Sequence, residues 1–226
     1  MKILLVTATY MEVAPLVANL KFVKEHNPRM KSYTLGNKEI DVLITGVGMV
    51  ACATWTTHVL ATAKYDLALN FGVCGSFDRS LHPGMLVHVL TDRIAELGAE
   101  DDDKFLSISE LNLLNENEPP FKWGQLVNLE VPLNPVMSAL PGVNGITVNT
   151  VHGNEKSIAA VVARFNPHIE TMEGAAFMYA CLTHQTVFAQ VRAVSNIVEK
   201  RNRDAWKMNE AIKNLGVTGL EILNGF

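Results

Sequence analysis

The chain has 226 residues, 48% of them hydrophobic and 19% charged, with a formal net charge of −4. That length buries an ample core, and the composition excludes wholesale disorder. Net negative charge without a run of Lys or Arg excludes nucleic acid and anionic membrane as principal partners. The opening "MKILLVTATYMEV" reaches Glu12 with no small-residue cleavage site, so it reads as a strand and not as a signal peptide. No apolar stretch is long enough to cross a bilayer. Cys52, Cys74 and Cys181 are odd in number, far apart and in apolar surroundings, which predicts reduced thiols and a cytoplasmic protein. The seven His residues show no HExxH or H-x-H spacing and no CxxC accompanies them, so neither a metal nor another cofactor is expected.

In chain order, "KILLVTAT" predicts a first strand and "YMEVAPLVANL" opens a helix. "SYTLGNKEIDVLITG" reads as a hairpin turning at Gly36 and Asn37. "MVACATWTTHVLATA" has helical spacing, "DLALNFG" is a short buried strand and "GMLVHVLTDRI" another. From Ala95 to Val143 the alternation breaks. With "AEDDDKF", "ENEPPFKW" and several Pro this segment reads as a long excursion, and Asp101 to Asp103 as a solvated loop. The strand "GITVNTV", the helix "NEKSIAAVVARF" and a short extended "HIET" follow. Then come the helix "MEGAAFMYACLTH", the buried strand "VFAQVRAVS" and an amphipathic closing helix, "AWKMNEAIKNLGVTGLEIL". Strands apolar throughout, alternating with helices, predict an α/β fold with a largely parallel sheet covered on both faces. With no internal repeat or linker, residues 1–226 read as one domain.

Two turns carry glycines. "ITGVGMVACA" matches the dinucleotide fingerprint G-x-G-x-x-G/A, and Asp66 lies near the expected distance downstream. Asp66 opens its strand instead of closing one, and the motif follows a later strand than it should. The glycines therefore read as serving a tight turn and close helix packing. The second turn, "NFGVCGSF", follows a buried strand at the edge where open α/β sheets hold ligands. Its backbone N–H groups suit a sugar, a base or an anion, and a plain tight turn is the equal alternative.

Two carboxylates stand at strand ends. Glu12 lies in the first turn of a helix, where a lone Glu is ordinarily a solvated group favoured by the helix dipole. Glu173 has apolar and small neighbours on both sides, and a buried carboxylate must be paired or hydrogen-bonded. Hydroxyls of a bound sugar would satisfy it; capping the helix that follows is the competing role.

"TATYMEVAPL", "ITGVGMVACA", "LNFGVCGSF", "ETMEGAAFMYACL" and "VRAVSN" occur in the order found in purine nucleoside phosphorylases and the related nucleosidases. The chain resembles that superfamily from residue 1 to about 215, apart from the middle excursion. Within it the nearest in appearance are methylthioadenosine/adenosylhomocysteine nucleosidase and futalosine hydrolase, and "GVCGSF" and "SNIVEKRNRDAW" look most like the latter. The resemblance implies a single-domain, three-layer fold with a twisted mixed sheet partly closed into a barrel. It implies that Glu12 activates an attacking water, and that Met172 and Glu173 hold the ribose. It further implies that Gly75 and Ser76 lie in a loop approaching sugar and base, and that Asn196 contacts N7 and the group at C6 of a purine. A homodimer or higher homo-oligomer, with the site near a subunit interface, is expected on the same ground. Trp55 or Trp123 is a candidate for that interface or for the core.

A phosphorylase needs cations for phosphate, usually Arg in its first loop and near the Gly-rich turn. "TATYMEV" has none and carries Glu12, and "NFGVCGSFD" has none before Arg79, so hydrolysis is favoured. Adenine-releasing nucleosidases have Asp at the position of Asn196. An amide cannot deliver a proton; it donates to O6 and accepts from N7–H, which suits a 6-oxopurine such as hypoxanthine. The expected substrate is futalosine, in menaquinone biosynthesis, with Arg201 and Arg203 as candidates for its benzoate. The runner-up is an adenine-releasing nucleosidase acting on methylthioadenosine, adenosylhomocysteine or aminodeoxyfutalosine, with a phosphorylase third. A reading of another class, a non-catalytic nucleoside- or dinucleotide-binding protein, is opposed by Glu12 and by the misplaced Asp66.

Overall fold

The computed structural model describes residues 1–226. Its centre is β1 (Lys2–Thr7), a strand buried from Ile3 onward. β1 lies parallel between β4 (Lys38–Ile44) and β5 (Leu67–Ser76). Because a strand's side chains alternate faces, β1 feeds two cores. Ile3 and Leu5 pack with Val13 and Leu16 of α1 (Tyr10–Val17) and with Leu215 and Ile222 of α6 (Met208–Asn224). Leu4 and Val6 pack on the other face, with Cys52 and Val59 of α2 (Met49–Thr62) and Phe177 and Cys181 of α5 (Gly174–Thr183). Helices on both faces of a doubly apolar sheet give the expected layering.

Beyond β5 the strands are β12 (Phe188–Ile197), β6 (Leu86–Ile94), β10 (Gly142–Thr147) and β11 (Ile169–Thr171). β11 then pairs back onto β5, antiparallel, through Ile169↔Ser76 and Glu170↔Gly75. Five strands thereby close a ring at one end of the sheet. β5–β12, β6–β10 and β10–β11 run parallel, whereas β6–β12 and β5–β11 run antiparallel. The sheet is thus mixed, as the family likeness implied, and less parallel than the apolar strands alone suggested.

At the open end, β3 (Met30–Leu35) and β4 form the expected hairpin, with Gly36 at φ +59°. β2 (Lys21–Asn27), exposed along its whole length, pairs with β3 and was not foreseen. The excursion folds as a separate hairpin of β7 (Gly98–Asp101) and β8 (Lys104–Ser107). It continues as the two-residue β9 (Leu126–Val127) against β6 and as a short helix α3 (Pro135–Ser138). The helix α4 (Glu155–Phe165), capped by the Asn154 side chain, returns the chain to β11. No helix is long and apolar enough to cross a membrane. The carboxyl ends of β1, β4, β5 and β12, all mutually parallel, gather their following turns at one edge of the sheet.

Candidate active site

Glu12, in the first turn of α1, is 7% exposed. Its Oε2 accepts from the Thr7 hydroxyl (3.2 Å), the Thr9 N–H (2.9 Å) and the Thr9 hydroxyl (3.0 Å), and its Oε1 accepts from the Val73 N–H (3.2 Å). This is not a solvated carboxylate resting on a helix dipole. Four donors from β1, its turn and β5 fix it in place, the condition for keeping a charge away from water.

Gly72 explains how β5 can approach so closely. A Cβ there would stand 3.0 Å from Glu12 Oε1 and inside contact distance of the Arg192 guanidinium. Arg192, on β12, is 1% exposed. Its Nε donates to Gln190 Oε1 at 3.0 Å and its Nη2 to Asn70 Oδ1. Gln190 Nε2 donates in turn to Asp92 Oδ2 (3.2 Å), whose Oδ1 accepts from the Thr147 hydroxyl at 2.9 Å. Burial pushes the Asp92 carboxyl up to about 6, against the pull of Gln190, Thr147, Arg192 and the Arg93 N–H. The expectation that no cation stands by the Gly-rich turn is therefore corrected. Arg192 comes to it from the neighbouring strand β12, far along the chain, where it stands opposite Gly72.

Glu173 immediately precedes α5 but makes no capping bond to its own helix. Its Oε1 accepts instead from the Gly48 N–H at 2.8 Å, at the start of α2, where Gly48 adopts φ +97°. The fingerprint-like glycines thus form a turn that grips Glu173. Asp66, at the opposite edge of the sheet, accepts from the Lys2 N–H. Glu173 is 6% exposed, and burial raises its carboxyl above the ordinary range. The Arg192 charge and the N–H groups of Gly48 and Met172 oppose that rise, and the Glu12 charge adds to it. Glu12, Arg192 and Glu173 therefore form one electrostatic unit. Met172 is half-buried beside it.

Asn196 lies past a bulge in β12 and pairs with Gly75. The Ser195 hydroxyl donates to its Oδ1 (2.8 Å), and its Nδ2 donates to Ile197 O (3.0 Å). One amide hydrogen and one lone pair remain for a ligand. Gly75 and Ser76 belong to strand β5 and not to a loop, which corrects the expectation for both. Gly75 faces Asn196, whereas the Ser76 hydroxyl is fully buried and directed to the carbonyls of Asp78 (2.8 Å) and His168 (3.2 Å). Arg201 and Arg203 are exposed, with guanidinium carbons 5.5 and 6.0 Å from the Trp206 ring centre. The structure does not join them to the carboxylates. Trp55 lies beneath Arg29, and Trp123 is 64% exposed.

The polar group behind the site, Arg192, Gln190, Asn70 and Asp92, escaped the sequence reading. Its signal was present: "FAQVRAVS" and "DLALNF" are otherwise apolar strands, and a buried Arg demands internal partners.

The model of the phosphorylase superfamily matches residues 2–224. Futalosine hydrolase from Streptomyces coelicolor is 31% identical over 187 residues, covering 77% of this chain and 74% of that protein. Futalosine hydrolase from Acidothermus cellulolyticus is 29% identical over 221 residues, covering 95% and 87%. A 5'-methylthioadenosine/S-adenosylhomocysteine nucleosidase from Lysinibacillus sphaericus is 26% identical, covering 89% of each chain. Among solved structures, native futalosine hydrolase of Helicobacter pylori superposes with a TM-score of 0.82 at 14% identity, covering 100% of this chain and 98% of that one. The fold is the same. The chain belongs to the phosphorylase superfamily, and its relatives put it among the N-glycosyl hydrolases of that superfamily.

Proposed function

We propose that the chain hydrolyses the N-glycosidic bond of futalosine and releases hypoxanthine, a step of menaquinone biosynthesis in the cytoplasm. The observation that carries the reading is the Glu12 carboxylate, fixed by four donors beside Gly72, with the Arg192 guanidinium packed over the same glycine. Glu12 takes a proton from water as the water oxygen bonds to the anomeric carbon. Arg192, tethered through Nε and Nη2, keeps Nη1 for a lone pair of that water. Glu173 accepts from the sugar hydroxyls as positive charge develops on the ring. The base leaves with the electron pair of the glycosidic bond while Asn196 donates its remaining amide hydrogen to O6; N7 then takes a proton from solvent, and the amide oxygen accepts from that N7–H. General-base action supplies about 10²–10⁴-fold, and the remainder comes from positioning. Two carboxylates around one guanidinium leave the pocket net negative, which repels inorganic phosphate and suits a neutral water.

The second reading, an adenine-releasing nucleosidase, is favoured by the likeness to the Lysinibacillus protein and opposed by the amide at position 196. Arg201 and Arg203, flanking Trp206, make a cationic and aromatic shelf suited to the benzoate of futalosine. Tyr10, Met11, Val47 and Val50 are exposed apolar side chains next to Glu12 and Gly48. They favour a homodimer or higher homo-oligomer whose partner covers this rim. Incubation with futalosine, inosine and methylthioadenosine, with and without phosphate, followed by chromatography of the base, tests the reading. Hypoxanthine appearing only when phosphate is present defeats hydrolysis, and adenine as sole product defeats the base assignment.

A further inference from the structure

Two amides hold the buried Arg192 guanidinium, and they are locked in different ways. Asn70 Oδ1 accepts from Nη2, while Asn70 Nδ2 donates to the Val6 carbonyl at 3.0 Å. A carbonyl only accepts, so the backbone decides which way that amide faces. Gln190 Oε1 accepts from Nε at 3.0 Å, and Gln190 Nε2 donates to Asp92 Oδ2 at 3.2 Å. Here the lock is a side chain. Asp92 and Gln190 are fully buried, so no water replaces a partner that is lost.

Asp92, on β6, is itself set by donors to its other oxygen. Oδ1 accepts from the Thr147 hydroxyl and from the Arg93 N–H, both at 2.9 Å. The Thr147 hydroxyl accepts in turn from the Ala175 N–H at 2.7 Å, in the first turn of the helix that follows Glu173. Gly174 closes the assembly, because a Cβ there would overlap both Asp92 Oδ2 and Gln190 Oε1. Only Oδ2 is left to face Gln190. The carboxyl titrates at about 6, so at neutral pH it is ionised and has no hydrogen to give.

We propose that Asp92 is a positioning residue, which keeps the Gln190 amide oxygen toward Arg192 Nε and so aims the guanidinium at the reaction centre. The proposal rests on the nucleosidase reading above and deepens it. Turned over, the amide would set N–H against N–H, and Arg192 would lose one of its two anchors.

Asp92→Asn imposes that reversal. Thr147 and Arg93 retain the new amide's oxygen, so its NH2 group faces Gln190 and demands an acceptor there. Adding Gln190→Glu supplies acceptors on both sides, one for the new amide and one for Arg192 Nε, at unchanged net charge. The test measures kcat and KM at neutral pH without phosphate, on whichever of futalosine, inosine and methylthioadenosine the wild type hydrolyses. Asp92→Asn is expected to lower kcat by about 10–100-fold with little change in KM. The double variant is expected to return to within about threefold of the wild type. A double variant no faster than Asp92→Asn overturns the assignment. Gln190→Met, which keeps the volume and removes both bonds, gives a reading even where Asp92→Asn does not fold. It is expected to show the same loss in kcat, and wild-type turnover overturns the assignment. A wild type that releases no base from any of the three nucleosides overturns the nucleosidase reading itself, before any variant is compared.

Discussion

Replacing Gly72 with Ala is the most direct probe of the Glu12–Arg192 arrangement. Gly72 has no unusual φ, so the substitution adds no backbone strain and its whole effect is steric. The new methyl would stand 3.0 Å from Glu12 Oε1, 3.5 Å from Arg192 Cζ and closer still to Nη1. Arg192 has no free volume to retreat into, being 1% exposed and tied to Gln190 and Asn70. Giving way means breaking one charge-assisted bond, worth about 1.5–3 kcal/mol, in addition to overpacking of about 1–3 kcal/mol. The variant is expected to lose about 2.5–6 kcal/mol, which for a chain of this size lowers Tm by about 5–24 °C. Displacing the carboxylate by about 1 Å lowers kcat/KM by about a hundredfold. Thermal unfolding followed by circular dichroism reads the first effect, and chromatography of the released base reads the second. Gly36→Ala serves as control: φ is +59° with nothing within 4 Å, so it costs about 1–2 kcal/mol of backbone strain and leaves turnover intact. A Gly72→Ala protein with the wild-type Tm and rate would refute the close packing of strand, carboxylate and guanidinium.

Glu12→Gln is expected to lower kcat by about 10²–10⁴-fold with little change in KM, measured by steady-state kinetics; retention of most activity rules out Glu12 as the base. The Asp92 carboxyl is raised from an ordinary 3.8 to about 6, so the native state binds this proton more tightly than the unfolded chain. Its contribution is present at low pH and declines by about 3 kcal/mol as pH rises from 3.8 to 6, a slope that Asp92→Asn removes in urea unfolding across that range. Glu173 is also raised by burial, so the acid limb of kcat/KM is expected above the ordinary glutamate value of 4.5; a limb at or below it contradicts a role for its carboxylate form. Burial pushes the thiols of Cys52 and Cys74 up to about 12 and raises Cys181 as well. All three are expected to resist a disulfide reagent at pH 8 until the protein unfolds, and rapid labelling of the folded protein contradicts that burial.

The strands with apolar faces were legible, because β1, β5 and β12 are buried on both sides and announce it residue by residue. β2 was not: its seven residues are all exposed, so no alternation marks them. Ring closure was equally hidden from residue patterns, since Ile169↔Ser76 and Glu170↔Gly75 join segments about ninety residues apart. Glu12 and Glu173 stood out as carboxylates at strand ends, and their convergence follows from parallel strands ending at one edge. Ser76 was misjudged because a serine in a Gly-rich stretch looks available, whereas backbone carbonyls claim its hydroxyl. Arg192 was overlooked because the search for a cation was confined to the neighbourhood of the turns. Its place beside Gly72 is set by β12 lying next to β5, a pairing between distant parts of the chain.

One end of the sheet bends into a ring, so apart from the two-residue β9 its unpaired margin is β2. Such a margin is a template for recruiting other chains, and here Lys21, Lys24, Glu25 and His26 line it. Those charges act as a solubility guard. Exchanging Lys21 and Lys24 for Thr or Val would favour fibrous self-association in concentrated solution while leaving the distant pocket untouched.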